Sequence, residues 1–377
     1  MALLTTPTSE LHLECYPKVD AKIQQPWDAA DIYLIESANY GEFPAVVNDQ
    51  WGALSCFLAQ QNSPTYSWTD SFCSQMGINK NSQNPLNTNV SIDLVLDQGS
   101  PTFPSCTDSI WIQCPKSFDQ LHWWLSTALQ QLGPGIKVSL AGMAKHIPVK
   151  WLKWLEQHNN DYQQHPIKKK ARLMTFTLGE KLPPLTVLKS YLGPDNKEVS
   201  ALPGVFSRDH MDIGSRFFIQ QISQLNSLSG NIIDLGCGNG LLSLACLHYF
   251  PEQNIKLTLC DDSSLAIESA EMNLIARGYS QAEFHHTDAL LKVNTCADTI
   301  LCNPPFHSGN RISTAAAERM FKQAARLLAK DGQLLVIANR HLPYAPLLKK
   351  GFKHIKQLNC DAKFVIYQCT DALPPKR

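Results

Sequence analysis

Two short stretches of this 377-residue chain hold residue types and spacings that could do chemistry. The first, Asn231 to Leu242, reads NIIDLGCGNGLL. Ile232 and Ile233 have the character of a buried parallel strand. Asp234, Gly236, Gly238 and Gly240 follow as a turn whose backbone can approach a ligand closely, and a helix is expected from about Leu241. A loop that cradles dinucleotide phosphate wants its third glycine one place later, in G-x-G-x-x-G, but Leu241 holds that place here. The spacing D-x-G-x-G-x-G favours S-adenosylmethionine over NAD.

The second stretch, Cys302 to Phe306, reads CNPPF after another apolar strand. Such a loop suits a nucleophile that is an exocyclic amine, whose lone pair is delocalised into a ring and points nowhere useful. The side-chain carbonyl of Asn303 and the backbone carbonyl of Pro304 can each accept one N–H, which turns the lone pair toward a sulfonium methyl. Pro304 and Pro305 restrict φ and remove donors that would compete. Phe306 can stack on a planar substrate; a core phenylalanine in a buried turn is the plainer reading.

These loops need a scaffold that brings them to one crevice. Strands and helices alternate from Asn231 onward, which specifies a doubly wound parallel sheet with ligands at the carboxyl ends of its strands. The first and fourth strands are then neighbours, so Asp234 and Asn303 face the same side. Asp261, closing the second strand, is placed to accept from two ribose hydroxyls, or else to cap a helix. Asp288, in HHTDALL after the third strand, can accept from an adenine amine, or is an exposed loop acid.

Upstream, the chain repeats itself in weakened form. The stretch FPAVVNDQWGALSCFL (Phe43 to Leu58) resembles Ile232 to Ala245, with Asn48 set against Asp234 and Gly52 to Ser55 against Gly240 to Ser243. Aligned so, the first copy is two residues shorter and lacks two of three glycines. Asp70 then takes the place of Asp261, SIWIQCPK (Ser109 to Lys116) stands for TILCNPPF, and LQQLGPGIKV repeats LLAKDGQLL as helix end, glycine turn and fifth strand. Matched anchors in one order imply an internal duplication with a period of about 190 residues. The expected domains are 1–180, degenerate, and 185–377, intact, joined through GEKLPP. A helix over Trp27 to Glu36 and a hairpin around Gly193 to Asn196 introduce the two halves.

Composition agrees with two cores: 44% of residues are hydrophobic and 18% charged. Lysine plus arginine equals aspartate plus glutamate at 33 each, so any nucleic-acid contact must come from local patches. One candidate is KKKAR, comprising Lys168, Lys169, Lys170 and Arg172; a solvated face explains such a run as well. Arg208 and Arg216 bracket the helix before the first strand of the second half and could reach cofactor or phosphate, or only cap that helix. The 12 cysteines include no C-x-x-C pair and read as reduced core residues, without metal. No stretch reaches the roughly 18 apolar residues of a membrane span, so a cytoplasmic protein is expected.

The stretches WDAADIYL, VVNDQWGALSC, KKARL, GVFSRDHMDIGSRFF, IIDLGCGNGLLSL, LCNPPFH and IANRHLPY carry a resemblance over essentially the whole chain. The chain resembles the ribosomal RNA guanine-N2 methyltransferases of the RsmC and RlmG types, most of all the latter, which act on 23S ribosomal RNA. The resemblance implies two tandem Rossmann-like class I methyltransferase domains, the first serving RNA recognition or stability. By position, Asp234, Gly236, Gly238 and Gly240 would hold S-adenosylmethionine and Asn303 to Phe306 the guanine amine; a monomer that methylates one guanine is expected. Three other readings compete: a 16S rRNA guanine-N2 methyltransferase, a protein-glutamine N-methyltransferase, whose amide nitrogen poses the same orbital problem, and a non-catalytic RNA-binding assembly factor with a relic cofactor fold.

Overall fold

The computed structural model describes residues 1–19, 24–61, 65–87, 90–95, 99–305 and 314–374. These divide into two compact units, Met1–Val187 and Leu188–Arg377.

In the first unit a short hairpin, β1 (Ala2–Thr5) and β2 (Glu10–Leu13), precedes helix α1 (Ala29–Ser37). Then come β3 (Pro44–Val47), α2 (Ala53–Gln60), β4 (Thr65–Trp68), α3 (Phe72–Ser82), β5 (Ile92–Val95) and β6 (Ser109–Gln113). The unit closes with α4 (Phe118–Leu132), β7 (Lys137–Met143), α5 (Val149–His158), β8 (Asn160–Gln164) and β9 (Ala171–Thr177). The second unit opens on the hairpin β10 (Lys189–Leu192) and β11 (Glu198–Ala201), followed by α6 (Ile213–Ile222) and β12 (Gly230–Leu235). It continues with α7 (Leu241–Tyr249), β13 (Ile255–Asp261), α8 (Ser264–Ile275), β14 (Glu283–His286), β15 (Ala297–Cys302) and α9 (Ala315–Leu327). Its last elements are β16 (Leu328–Asn339), α10 (Tyr344–Leu348), β17 (Phe352–Cys360) and β18 (Phe364–Ala372).

Both sheets have seven strands in the same order: β5-β4-β3-β6-β7-β9-β8 and β14-β13-β12-β15-β16-β18-β17. In each, five parallel strands are followed by an antiparallel pair. Helices cover both faces, which is why the strands read as unbroken apolar runs rather than alternating ones. In the second unit Ile232, Leu257 and Leu259 pack on one face with Phe218, while Ile233, Leu235 and Ile300 pack on the other with Phe321. In the first, Val46 and Trp111 join Leu54 and Phe57 on one side, and Val47 and Ile112 join Leu121 and Leu125 on the other. The expected glycine turn before the fifth strand of the second unit is instead a bulge inside β16. The register to β15 shifts between Ala297 and Thr299, and a Cβ at Gly332 would stand 2.8 Å from the Ala297 carbonyl oxygen.

Candidate active site

Strand β12 lies between β13 and β15, with Leu235 paired to Cys260 on one side and Cys302 on the other. The chain therefore leaves the sheet at Gly236 and at Asn303 from adjacent strand ends. A Cβ on Gly236 would lie 3.2 Å from Met320 Cε and 4.0 Å from the Asn303 carbonyl oxygen, so the two loops meet through backbone. Gly236, Gly238 and Gly240 all take left-handed conformations, with φ of 76°, 55° and 79°. At Gly240 a Cβ would crowd Ala270 and Leu274 at 3.2 Å, whereas at Gly238 nothing lies within 4 Å. One glycine is thus required by packing and another opens a cradle.

Acidic groups hold that cradle in place. Asp234 is wholly buried, and its Oδ2 accepts from the Ser243 backbone N–H at 3.1 Å and the Ser243 hydroxyl at 2.7 Å. It ties the strand end to helix α7 from beneath the loop. Burial pushes its carboxyl up to about 7, against the two Ser243 hydrogen bonds. Asp261 accepts from the Gly238 N–H at 2.9 Å through one oxygen and from the Ser263 N–H at 2.9 Å through the other. Asp261 is half-buried at the end of β13. Asp288 is buried in an ion pair with Arg319 of α9, at 3.3 Å.

From the other side, Asn303 is half-buried and its Nδ2 donates to Ser215 Oγ on α6 at 3.2 Å. Pro304 is buried and Pro305 exposed. Phe306 lies outside the described residues. Hairpin β10–β11 also reaches the cradle: the Asn239 side chain donates to Tyr191 Oη at 3.0 Å, and Asn273 donates to both the Asn239 and the Ser200 carbonyls.

The Methyltransferase small domain family model matches residues 196–368, and the RLMG N-terminal domain model matches residues 1–180. Ribosomal RNA large subunit methyltransferase G of Vibrio parahaemolyticus is 35% identical, over 96% of this chain and 94% of that protein. The protein of the same name from Alcanivorax borkumensis is 33% identical over 98% and 97%. The chain belongs to the ribosomal RNA large subunit methyltransferase G family. A solved structure, that of the T. thermophilus 16S rRNA N2 G1207 methyltransferase RsmC in complex with AdoMet and guanosine, superposes with a TM-score of 0.78 over 98% of this chain and 97% of that one. At 18% identity that likeness establishes the fold.

The protein is thus a methyltransferase, and its cofactor is S-adenosylmethionine. The second unit fits that group: its open backbone cradle at Gly238 is backed by a carboxylate, which suits a neutral ribose better than a phosphate. The first unit of this methyltransferase has the same path with different side chains. Asn48 stands at φ 67° and its N–H bonds to the Trp68 carbonyl at 2.9 Å; Gly236 stands at φ 76° and bonds to the Cys260 carbonyl at 2.8 Å. Four residues on, Gly52 and Gly240 both open a helix from the left-handed region. Asn48 therefore matches Gly236, and Val46 matches Asp234. The expected pairing of Asn48 with Asp234, and the two-residue deletion with it, are corrected: the loops are of equal length. Likewise Ser71 and Ser263 cap equivalent helices, so Thr69 takes the place of Asp261 and Asp70 that of Asp262.

Among the basic candidates, Lys168, Lys169 and Lys170 are exposed at the turn between β8 and β9, and Arg172 is half-buried within β9. Arg208 is buried and donates to the Ala201 carbonyl at 3.3 Å, while Arg216 is exposed on α6. Sequence reasoning missed Ser215, Ser243, Tyr191 and Asn273. Only Ser243 left a signal, since Ser55 repeats it. Among the described residues no helix is long and apolar enough to cross a membrane, and no group of three or more His, Cys, Asp or Glu side chains could hold a metal.

Proposed function

We propose that this protein transfers a methyl group from S-adenosylmethionine to the exocyclic N2 amine of one guanine in 23S ribosomal RNA, acting as a cytoplasmic monomer. The observation that supports the reading is the meeting of the Gly236 backbone with Asn303 at adjacent strand ends. When bound, the cofactor supplies an electrophilic sulfonium methyl. The Gly236 to Gly240 loop would hold it, with Asp261 receiving ribose hydroxyls and Asp288 the adenine amine, while Asp234 acts on the loop from below. Asn303 Oδ1 and the Pro304 carbonyl each accept one N–H of the guanine amine and so aim its lone pair at the methyl. Pro305 stiffens the loop, and Phe306 stacks on the base. The first unit, with Lys168, Lys169, Lys170 and Arg172, recognises RNA through phosphate.

Asn303→Ala tests the reading. Single-turnover methylation should fall about 10²- to 10³-fold, with S-adenosylmethionine affinity by calorimetry unchanged, because one preorganised contact is lost and no cofactor contact is. Wild-type turnover in that variant would remove CNPPF from the acceptor site.

A further inference from the structure

Asparagine is nearly symmetric in shape and opposite in chemistry at its two ends. A guanine N2 amine has two N–H groups to give, so only the Asn303 carbonyl can receive one. A flipped amide would set N–H against N–H. The side chain must also be held where that carbonyl meets the amine, and a neighbour must hold it.

That neighbour is on α6. Ser215 Oγ receives the Asn303 Nδ2–H at 3.2 Å, which anchors the end of the Asn303 side chain to the helix. Ser215 is itself buried and tightly held. It is the third residue of α6, and its backbone N–H is capped by Asp212 Oδ2 at 3.0 Å. The Asp212 N–H is in turn held by Ser207 Oγ at 2.8 Å. The helix start is pressed on the sheet, since a Cβ at Gly214 would stand 3.2 Å from the Phe364 ring.

The first unit builds the same contact from different residues. Asp31 is the third residue of α1, its N–H capped by Asp28 Oδ1 at 3.2 Å. Gln113, which ends β6 where Asn303 follows β15, donates its Nε2–H to Asp31 Oδ1 at 3.1 Å. The other oxygen of Asp31 accepts the Asp28 N–H at 2.8 Å. Two units whose loops share almost no chemistry both place an acceptor at the third position of this helix and aim an amide nitrogen at it.

We infer that Ser215 is a positioning residue whose hydroxyl anchors the Asn303 side chain beside the Gly236 loop, so that its carbonyl is held within reach of the substrate amine. The inference rests on the proposed role of Asn303 as the amine acceptor. Ser215→Ala should lower the single-turnover rate roughly 10- to 100-fold, the range typical when an aligning contact is lost, with S-adenosylmethionine affinity and Tm unchanged. In the Asn303→Ala background the same change should add nothing, because Ser215 would have no amide left to hold. Ser215→Thr and Ser215→Val carry the same extra methyl and differ only in the hydroxyl, so Thr should turn over at least 10-fold faster than Val. Wild-type turnover of Ser215→Ala, an undiminished further loss on Asn303→Ala, or equal rates for the Thr and Val variants would each overturn the inference. Should Asn303→Ala itself keep wild-type turnover, the acceptor reading fails first, and that result is distinct from all of these.

Discussion

The chain builds one loop twice on the same backbone, and only one copy is left open. At Gly236 to Gly240 three of five residues have no side chain; at Asn48 to Gly52 the corresponding run is Asn, Asp, Gln, Trp, Gly. Asn48 keeps the left-handed turn because asparagine tolerates φ near 67°, and Gly52 remains glycine at φ 91°, where a Cβ would stand 3.0 Å from the Ile78 backbone. Gln50, exposed, and Trp51, buried, stand where the second copy has Gly238 and Asn239. The buried acid has moved as well. Asp234 holds Ser243 from the strand end, whereas Asp49, three places further along the shared path, holds Ser55 through the same pair of bonds at 2.9 and 2.7 Å and caps Gly52 at 2.9 Å besides. Fold and cofactor loop are separable demands: the carboxylate that braces the helix is needed by both copies, and the bare backbone by one.

The largest effect should come from carrying the first copy into the second. Gly238→Gln places there the side chain that Gln50 occupies. Open space surrounds the position, so the protein should fold at a cost of about 1 to 2 kcal/mol for a side chain at φ 55°. Calorimetry should give one S-adenosylmethionine site per wild-type chain and a loss of at least about 100-fold in affinity for the variant. Saturable binding that survives at wild-type strength would mean the first copy still binds cofactor, and the comparison would break.

A middling effect is expected from the braces. Burial raises the Asp234 carboxyl from 3.8 to about 7, so across that interval the native state holds a proton that the unfolded chain has released. The native state binds more protons there, and stability falls as pH rises from about 4 to about 7, then levels. Asp234→Asn removes this titration while keeping an acceptor for Ser243. Melts at pH 5 and pH 8 should therefore show the variant gaining on the wild type by on the order of 1 to 3 kcal/mol, the upper figure being the two pH units between pH 5 and the raised value at about 1.36 kcal/mol each. Burial also raises the Asp49 carboxyl, so Asp49→Asn should move stability in the same direction. The two should part in calorimetry: only Asp234→Asn should disturb cofactor affinity, since only its loop is a cradle.

Topology, the duplication and both loops were legible in the sequence because each is written in local signals: apolar runs, glycines, a paired proline. The alignment between the copies was not. Two apolar residues followed by a polar one suggest Asn48 for Asp234, but Asn48 stands at φ 67° and donates its Nδ2–H to the Gln113 carbonyl at 2.8 Å, whereas Asp234 accepts from Ser243 at the strand end. Ser215 escaped for another reason. It sits in a segment that reads only as an amphipathic helix start, and its partner is 88 residues away, so the pairing exists only once β15 lies beside β12. Asp288 read equally as an adenine acceptor or a loop acid, and its ion pair with Arg319 spans 31 residues with no local trace.

The smallest effect separates the first unit's proposed RNA role from its own stability. Lys169 and Lys170 form a two-residue turn closed by reciprocal bonds between Lys168 and Ala171, and both stand in the left-handed region, at φ 46° and 68°. Such a turn prefers Asn-Gly, and two lysines there carry strain that the hairpin alone has no use for. Lys168 differs: its Nζ donates to Ser37 at 3.0 Å and lies 4.8 Å over the Tyr33 ring, so part of its charge is spent within the unit. If the two strained lysines are retained to meet phosphate, Lys169→Asn with Lys170→Gly should raise Tm by a few degrees while weakening RNA binding. The slope of log affinity against log salt should flatten by about 1.4, or 0.7 for each contact to a single strand. Cofactor affinity should not change. A rise in Tm with an unaltered salt slope would assign the run to a solvated turn and leave RNA recognition to another face of the first unit.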